Sequence, residues 1–438
     1  MDNKAGRKEQ LTYFGMYIAK RKFMIKMIEK IILVVSGILF VTSCQNFNPV
    51  YPPPELDVRG RFGEYIDTTF EATADTFIVD YKTDTKYSTK LSVGEYQGFS
   101  AGFLIRFTKL AITDNPMDSI RIRLTPKNTF GNQSGTMTIN AYVVEDDWDE
   151  SANTDDFWHT PPTMELASSQ MVDAEDTNAV YIAINDTALI HRWQREGEDN
   201  KGLFIQLGSS DPGFIREFVS FKGLSTYDWP TMYYRVKKDT VFTIDSTNVG
   251  KAAAIYNYSP SAGQDVFEIA RNTRNLVVSS GIQSRVFIRF DQLLEIPNNV
   301  IMQAADLSLY VNDESFTGVA DSNEMVNKDH SAFYNLRLVT DAGESFEWIT
   351  VDSSFTSNTK YSLLLRQEDG KLYFPEEEQV KFGTSYIQDI VNETKEYKWF
   401  QIQYQNEYND ISVVRLFNRF TSTPQLHVRY YRVDTSGL

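Results

Sequence analysis

The residue whose context most strongly indicates chemistry is Cys44, the only cysteine of the chain. It follows Val41, Thr42 and Ser43, so that small residues lead into a single thiol. A thiolate is a nucleophile, and its sulfur can accept a covalent modification. If Cys44 is modified, no cysteine remains for a disulfide, a zinc thiolate or catalysis.

The segment before Cys44 has the layout of a secretory signal peptide. Residues 31–43 are uncharged, and this stretch is shorter than the about 20 apolar residues that a membrane-spanning helix needs. The basic flank before it consists of Lys20, Arg21, Lys22, Lys26 and Lys30. The segment resembles the signal of a bacterial lipoprotein. That resemblance implies cleavage before Cys44, lipidation of its sulfur, and attachment to the outer membrane of a Gram-negative cell.

Residues 1–43 are therefore predicted to be the signal peptide, with Met24 or Met27 as the hypothetical true start. Residues 44–60 are predicted to form a lipidated, extended spacer, because Pro52, Pro53 and Pro54 lack backbone donors and stiffen the chain. No acidic cluster follows Cys44, so the sequence leaves open whether the protein faces the periplasm or the cell surface.

The charge of the mature chain limits its partners. Residues 1–43 contain eight of the 43 basic and three of the 59 acidic residues, which leaves 35 bases and 56 acids from Cys44 onward and a formal charge of −21. Such a surface repels nucleic acid and anionic lipid headgroups. It also disfavours unaided binding of polyanionic sugars, unless a local basic site or bound cations offset the field. The predicted partners are the membrane, through the anchor, and a polysaccharide or an envelope protein, with no nucleic acid.

The composition and the repeated motifs predict two β domains. Aromatic residues make up 13% of the chain, and long helical patterns are scarce. A series of motifs in residues 91–236 recurs in the same order in residues 276–433. The paired segments are 91–94 with 276–279, 102–107 with 285–290, 119–124 with 305–310, 136–144 with 333–339, 202–207 with 399–404, 218–221 with 414–417, and 229–236 with 423–433.

Each half is predicted to contain one short helix, over residues 187–193 and 385–391, where apolar residues are spaced three and four apart. Pro230 and Pro424 stand at the start of the closing strands, where a missing N–H is tolerated. We expect the second domain to begin with a strand at 240–244, followed by a loop over 251–264. The fold class is predicted as all-β, with two tandem antiparallel, jelly-roll-like β-sandwiches over residues 61–238 and 239–438.

The motif series of the first half resembles the DNRLRE-type jelly-roll domain of bacterial and archaeal surface proteins. The series is "LSVG … GFLIRF … SIRIRL … TMTINAYVVEDDWDE … TALIHRWQREGEDNKGLFIQL … FVSF … WPTMYYRV". The second half resembles this domain more faintly. Such domains are similar to carbohydrate-binding modules, and many have no established ligand. The resemblance therefore implies the fold more than any one function.

No motif for turnover is present in the sequence. It contains no GxSxG elbow, no GxxxxGK[ST] phosphate loop and no HExxH spacing among its four histidines. A glycosidase would need two facing carboxylates, and no pair lies in a recognisable signature. We therefore expect no enzyme.

The acidic run 145–150 leaves two interpretations open. Asp146, Asp147 and Asp149 offer hard oxygens that could bind calcium, or the run could be a turn that carries solvated acids. No other cofactor is predicted.

Aromatic side chains are the candidate glycan contacts, because exposed rings can stack on sugar faces. Trp148 and Trp158 flank the acidic run and could form a platform, or could anchor a long loop. Trp229 and Tyr234 are further candidates, and one tyrosine of the pair Tyr233–Tyr234 must face the core. The predicted function is non-catalytic binding of glycan or another envelope component by a lipid-anchored protein. The alternative is an assembly lipoprotein that makes protein contacts only.

Overall fold

Antiparallel β-strands dominate the part of the chain that the computed structural model describes. The model describes residues 63–81, 85, 88–107, 115–132, 134–150, 164–195, 200–208, 213–222, 225–312, 333–339, 363–368, 370–393, 399–404 and 412–433. The predicted signal peptide, Cys44, the spacer to residue 60 and Trp158 lie outside these residues. In the described part, no helix has the length and apolarity to cross a bilayer.

The described strands number 22, and the helices are short. The strands are β1 (Tyr65–Glu71), β2 (Ala74–Asp80), β3 (Lys90–Tyr96), β4 (Phe99–Phe107), β5 (Met117–Leu124), β6 (Pro126–Gly131), β7 (Thr136–Val143), β8 (Glu165–Asp173), β9 (Val180–Ile184), β10 (Leu203–Leu207), β11 (Phe214–Val219), β12 (Thr231–Lys238), β13 (Val241–Tyr258), β14 (Asn275–Ser280), β15 (Gln283–Arg289), β16 (Val300–Tyr310), β17 (Phe333–Val339), β18 (Leu363–Glu368), β19 (Lys371–Tyr373), β20 (Trp399–Tyr404), β21 (Ser412–Phe417) and β22 (Gln425–Arg432). The helices are α1 (Thr187–Arg195), α2 (Val266–Asn272), a 3₁₀ helix (Asp291–Glu295), α3 (Glu376–Lys381), a π-helix (Phe382–Ile387) and α4 (Gln388–Val391).

The first sandwich consists of β3 to β13. Its strands follow the order β6-β11-β3-β4-β13-β12-β5-β9. A branch starts at β4, which also pairs with β10; β10 then pairs with β7, and β7 with β8. The sheet curls on itself because β13 joins both layers, pairing with β12 through its first half and with β4 through its second. Ile122 and Met232 of one layer share a buried core with Ile105 and Ile139 of the other.

The second sandwich consists of β14 to β22 together with β1 and β2. The order is β1-β22-β16-β19-β18-β17-β20-β15-β14-β21, and β2 pairs with β15. Every described strand pair in both sandwiches is antiparallel. The predicted all-β, antiparallel sandwich fold is confirmed.

In the central strands, alternation places residues 103 and 105 on one face of β4, and residues 286 and 288 on one face of β15. Phe103 and Ile105 of β4 are fully buried, as are Val286 and Ile288 at the matching positions of β15. The predicted helix in the first half corresponds to α1, and the one in the second half to the end of the π-helix and α4. Both helices contribute buried side chains to the cores.

The predicted loop at 251–264 is wrong in its first part, because β13 continues to Tyr258. Residues 252–255 form an uninterrupted apolar run, Ala-Ala-Ala-Ile, and all four are buried. A strand that is covered on both faces does not alternate between polar and apolar residues, so its sequence lacks the usual strand pattern.

The boundary predicted between residues 238 and 239 does not coincide with the strand pairing. β13 follows that boundary and yet pairs with β12 and β4 of the first half. Conversely, β1 and β2 pair with β22 and β15 of the second half. All described residues belong to one compact unit, Phe62–Leu438. The division into two domains at that point stays a prediction.

Substitution of Gly202, which precedes β10, will test how closely the backbone at this residue approaches β4. Its φ is +103°, and a Cβ there would clash with the carbonyl oxygen of Ile105. Gly263 is a matched control, because its φ is +78° but a Cβ would meet nothing within 4 Å. We expect Gly263→Ala to lower the free energy of unfolding by about 1 kcal/mol through backbone strain alone. Gly202→Ala should lower it by about 3 kcal/mol, because overpacking is added to the strain. The measurement is urea unfolding. Equal losses of unfolding free energy in Gly202→Ala and Gly263→Ala would contradict the close approach of Gly202 to Ile105.

Candidate ligand-binding face

Trp148 holds the loop after β7 against the outer surface of the first sandwich. Its indole Nε1 donates a hydrogen bond to the carbonyl oxygen of Lys201 at 2.7 Å. The ammonium of Lys251 lies 4.6 Å from the ring centroid, and it also donates to the carbonyl oxygen of Trp148. The half-buried ring packs against a small cluster that includes Leu104 and Phe204. These contacts favour the anchoring interpretation of Trp148 over a sugar platform.

The acids around Trp148 pair with cations. Asp147 accepts a hydrogen bond from Lys201 at 3.0 Å and lies 3.2 Å from a guanidinium nitrogen of Arg106. The hydrogen bond from Lys201 is the main cause that lowers the pKa of the Asp147 carboxyl. Asp146 and Asp149 are exposed. Among the described residues, no group of three or more potential ligands could hold a metal ion. This geometry lends no support to a calcium site.

The other aromatic candidates are placed differently. Tyr234 is only 4% exposed and lies in the core, so it is unavailable to a ligand, whereas Tyr233 is the outward member of the pair. Trp229 is half-buried and packs edge-on against Phe221, with ring centroids 6.2 Å apart. One tyrosine of the pair faces the core, as predicted. It is Tyr234, the one that was named as a candidate ligand contact.

The structure shows a site that the search for tryptophans missed, on the outer side of the layer β9-β5-β12-β13. We call it the basic face. Strand alternation buries Ile120 and Ile122 and turns the side chains between and beside them outward. The residues of the basic face are Arg121 and Arg123 on β5, Tyr181 on β9, Tyr233, Arg235 and Lys237 on β12, and Phe242 and Ile244 on β13.

The strand register brings cations and rings together on the basic face. Arg121 lies opposite Tyr233, and Arg123 lies opposite Tyr181. Side chains on adjacent strands at such positions are in contact distance. Tyr181 is 47% exposed, so its ring is open to solvent. The alternating Ser-Ile-Arg-Ile-Arg-Leu sequence of β5 was the signal for this face, since it places two arginines on one side.

Two cations of the basic face also lie over the aromatic ring of Phe242. The guanidinium carbon of Arg235 lies 4.6 Å from the centroid of Phe242, and the ammonium of Lys237 lies 5.9 Å away. Arg235 is paired with Asp118, and this hydrogen bond lowers the pKa of the Asp118 carboxyl. In the described part of the chain, Arg121 and Lys237 form no ion pair with an acid. The face therefore has a net positive charge on a protein that is otherwise acidic.

The second sandwich provides an internal comparison. The strand register matches Arg121 of β5, opposite Tyr233, with Asp306 of β16, opposite His427. The pairing of segments 119–124 and 305–310 predicted from the sequence is therefore displaced by one residue. By the same register Arg123 corresponds to Ser308. The sandwich fold therefore does not require arginines at these positions.

Comparison with known proteins leaves the family open. A scan against protein-family models finds no model that matches the chain. A search of curated proteins likewise finds no match. The resemblance to the DNRLRE-type domain stays a prediction that rests on the pattern of core positions.

The anchoring role of Trp148 predicts an effect on stability. Trp148→Ala should lower the free energy of unfolding by about 3 kcal/mol, because it removes a large packed side chain. Trp148→Phe should cost less, since it keeps a ring against Leu104 and Phe204 and loses only the hydrogen bond to Lys201. The measurement is urea unfolding followed by circular dichroism. An unchanged unfolding midpoint for Trp148→Ala would show that the ring does not anchor the loop.

Proposed function

We propose that the protein is a non-catalytic, lipid-anchored component of the cell envelope that binds an acidic glycan through the basic face. The observation that carries the proposal is the cluster of cations and exposed rings on one open sheet face of an acidic chain. Guanidinium groups bind carboxylates and sulfates through paired hydrogen bonds. Exposed tyrosine rings supply a flat apolar surface for a sugar ring.

The dimensions of the basic face suit an extended chain of charged units. Arg121 and Arg123 are two residues apart on one strand, so their Cα atoms are about 7 Å apart. Tyr233 and Tyr181 lie on the strands to either side of β5. A polymer that crosses the sheet would therefore meet one ring and one cation in each of two rows, Tyr181 with Arg123 and Tyr233 with Arg121.

The same charge distribution argues against nucleic acid as the ligand. Duplex DNA carries one phosphate charge about every 1.7 Å and is bound through many phosphate contacts. The basic face offers only a few cations, and the rest of the mature chain is strongly acidic. A glycan with widely spaced acidic groups suits this arrangement better.

One observation favours the assembly alternative. In the described part of the chain, the first half of β13 pairs with β12 alone and so forms a sheet edge. Val241 is 61% exposed and Ile244 is 74% exposed on this edge. Exposed apolar edges are templates for pairing with another chain. A partner strand at this edge would be the competing function.

Glycan binding is tested with the chain from residue 44 onward, carrying Cys44→Ala so that it is soluble. We expect binding to acidic polysaccharides on an array, weakened by added salt, and no binding to their neutral counterparts. Arg121→Ala and Tyr181→Ala should each weaken binding about tenfold, which is the loss of one charge-assisted contact or one stacked ring. Tyr65→Ala is the control, since Tyr65 is 49% exposed but lies in the second sandwich.

Two outcomes would contradict glycan binding. One is equal binding by Arg121→Ala, Tyr181→Ala and Tyr65→Ala. The other is an array without signal, combined with self-association or partner capture that Ile244→Lys abolishes. The second outcome would support the assembly function at the edge of β13.

The anchor has its own test in cells. Cys44→Ala should abolish labelling by a fatty-acid probe and leave an uncleaved precursor, because lipidation of the sulfur precedes cleavage in the proposed route. Ser43→Ala is the matched control and should still be labelled, since a small residue remains beside the thiol. Labelling that persists in Cys44→Ala would exclude the lipoprotein proposal.

A further inference from the structure

The two sandwiches are completed by strands from outside their own repeats. The strand β13 leads into the second repeat, but it pairs along β12 and β4 of the first sandwich. The segment with β1 and β2 precedes the first repeat, but it pairs along β22 and β15 of the second. In both cases the segment passes from one layer of the sandwich to the other.

The two segments occupy equivalent places, residue by residue. The matched segments 102–107 and 285–290 align Arg106 with Arg289, and these pair with Lys251 and Ala74 respectively. At the other layer, Thr231 and Gln425 pair with Asn248 and Glu71. Lys251 follows Ala74 by 177 residues, and Asn248 follows Glu71 by the same 177, so the correspondence has no gap.

One backbone hydrogen bond is repeated at the point where each segment changes layer. The N–H of Val249 donates to the carbonyl oxygen of Pro230 at 3.2 Å. The N–H of Ala72 donates to the carbonyl oxygen of Pro424 at 3.0 Å. Ala72 and Val249 are again 177 residues apart, and both prolines directly precede the closing strand.

The far ends of the two segments meet at one side chain. Tyr81 and Tyr258, also 177 residues apart, both contact the ring of Phe267 in α2, at centroid distances of 6.4 and 5.3 Å. A single buried cluster around this helix contains Phe99 and Tyr256 of the first sandwich together with the core of the second. The segments therefore converge where the two sandwiches join.

We infer that residues 65–81 and 242–258 are the equivalent first strands of two duplicated repeats, exchanged reciprocally within one chain. Each repeat donates its first strand to the other sandwich. The slot between β22 and β15 accepts the first donor strand, and the slot between β12 and β4 accepts the second. The two sandwiches consequently fold as one interlocked unit.

A partly buried ion pair distinguishes the two slots. The side chain of Asp75 is 5% exposed, whereas that of Arg419 is 35% exposed. Asp75 accepts a hydrogen bond from the backbone N–H of Arg419 at 2.6 Å and has a guanidinium nitrogen of Arg419 at 3.8 Å. The equivalent residue in the other segment is Ala252, which lies in the apolar core of the first sandwich. A buried carboxylate without its partner is strongly disfavoured. Asp75 therefore directs its own strand to the second sandwich and away from the first.

Disulfide trapping tests the exchange in the full mature chain, with Cys44→Ala as background. Cysteines at Thr69 and His427 are opposite one another in the exchanged arrangement, as are cysteines at Ser246 and Tyr233. Facing positions on adjacent antiparallel strands have the Cα separation that a disulfide needs. The matched controls recombine the same four positions as Thr69 with Tyr233 and Ser246 with His427, which face each other only if each repeat keeps its own strand.

We expect intrachain disulfides in the first two variants and free thiols in the two recombined controls. Disulfides in the controls, or a covalent dimer from the pair at residues 69 and 427, would overturn the intrachain exchange. A dimer would show that the first strand completes a second copy of the chain instead.

The interlocking of the two sandwiches is tested by cutting the chain between the first donor strand and β3. A protease site inserted between Tyr81 and Ser88 should yield a fragment that stays bound during gel filtration, because it remains paired in its slot. Asp75→Ala should speed release of the fragment at least tenfold, whereas Thr69→Ala, an exposed change in the same segment, should not. Immediate separation of the unsubstituted fragment, with unchanged unfolding of the remainder, would overturn the inference.

Discussion

The backbone of one long segment in each sandwich must find hydrogen-bond partners in both layers. A buried N–H or carbonyl group without a partner is costly, so the segment must run along β12 and then β4, or along β22 and then β15. The same requirement places the layer-changing residues, Val249 and Ala72, beside the prolines that begin the closing strands. The curl of each sheet, the shared core around Phe267 and the position of the basic face all follow from this pairing.

Much of the fold could be predicted from the sequence, because amphipathic strands reveal which face is buried. Phe103 and Ile105 share one face of β4 by alternation, and they are fully buried, as are their counterparts in β15. Period-two alternation does not reveal which sheet accepts a strand, so the exchange of β13 with β1 and β2 was invisible. Residues 252–255 were missed because burial on both faces removes the alternation itself.

The candidate site was harder to predict than the core. Composition singles out tryptophan and tyrosine, yet Trp148 is committed to a loop contact and Tyr234 to the core. The arginines of β5 alternate with buried apolar residues, as polar residues do on the solvated side of any amphipathic strand. These arginines form a candidate binding surface only because the strand register places Tyr181 and Tyr233 beside them. Register depends on the neighbouring strands and cannot be read from one strand alone.

Duplication separates what the fold requires from what a ligand would require. Both repeats keep the apolar inward positions, the closing-strand prolines and the backbone hydrogen bond at the layer change. Asp75 and Arg121, in contrast, each occur in one repeat only, with Ala252 and Asp306 at the equivalent places. Asp75 has a partner within the chain, Arg419, and so has a structural role. Arg121 is outward, exposed and paired with no acid among the described residues, so its charge is available to a ligand from outside.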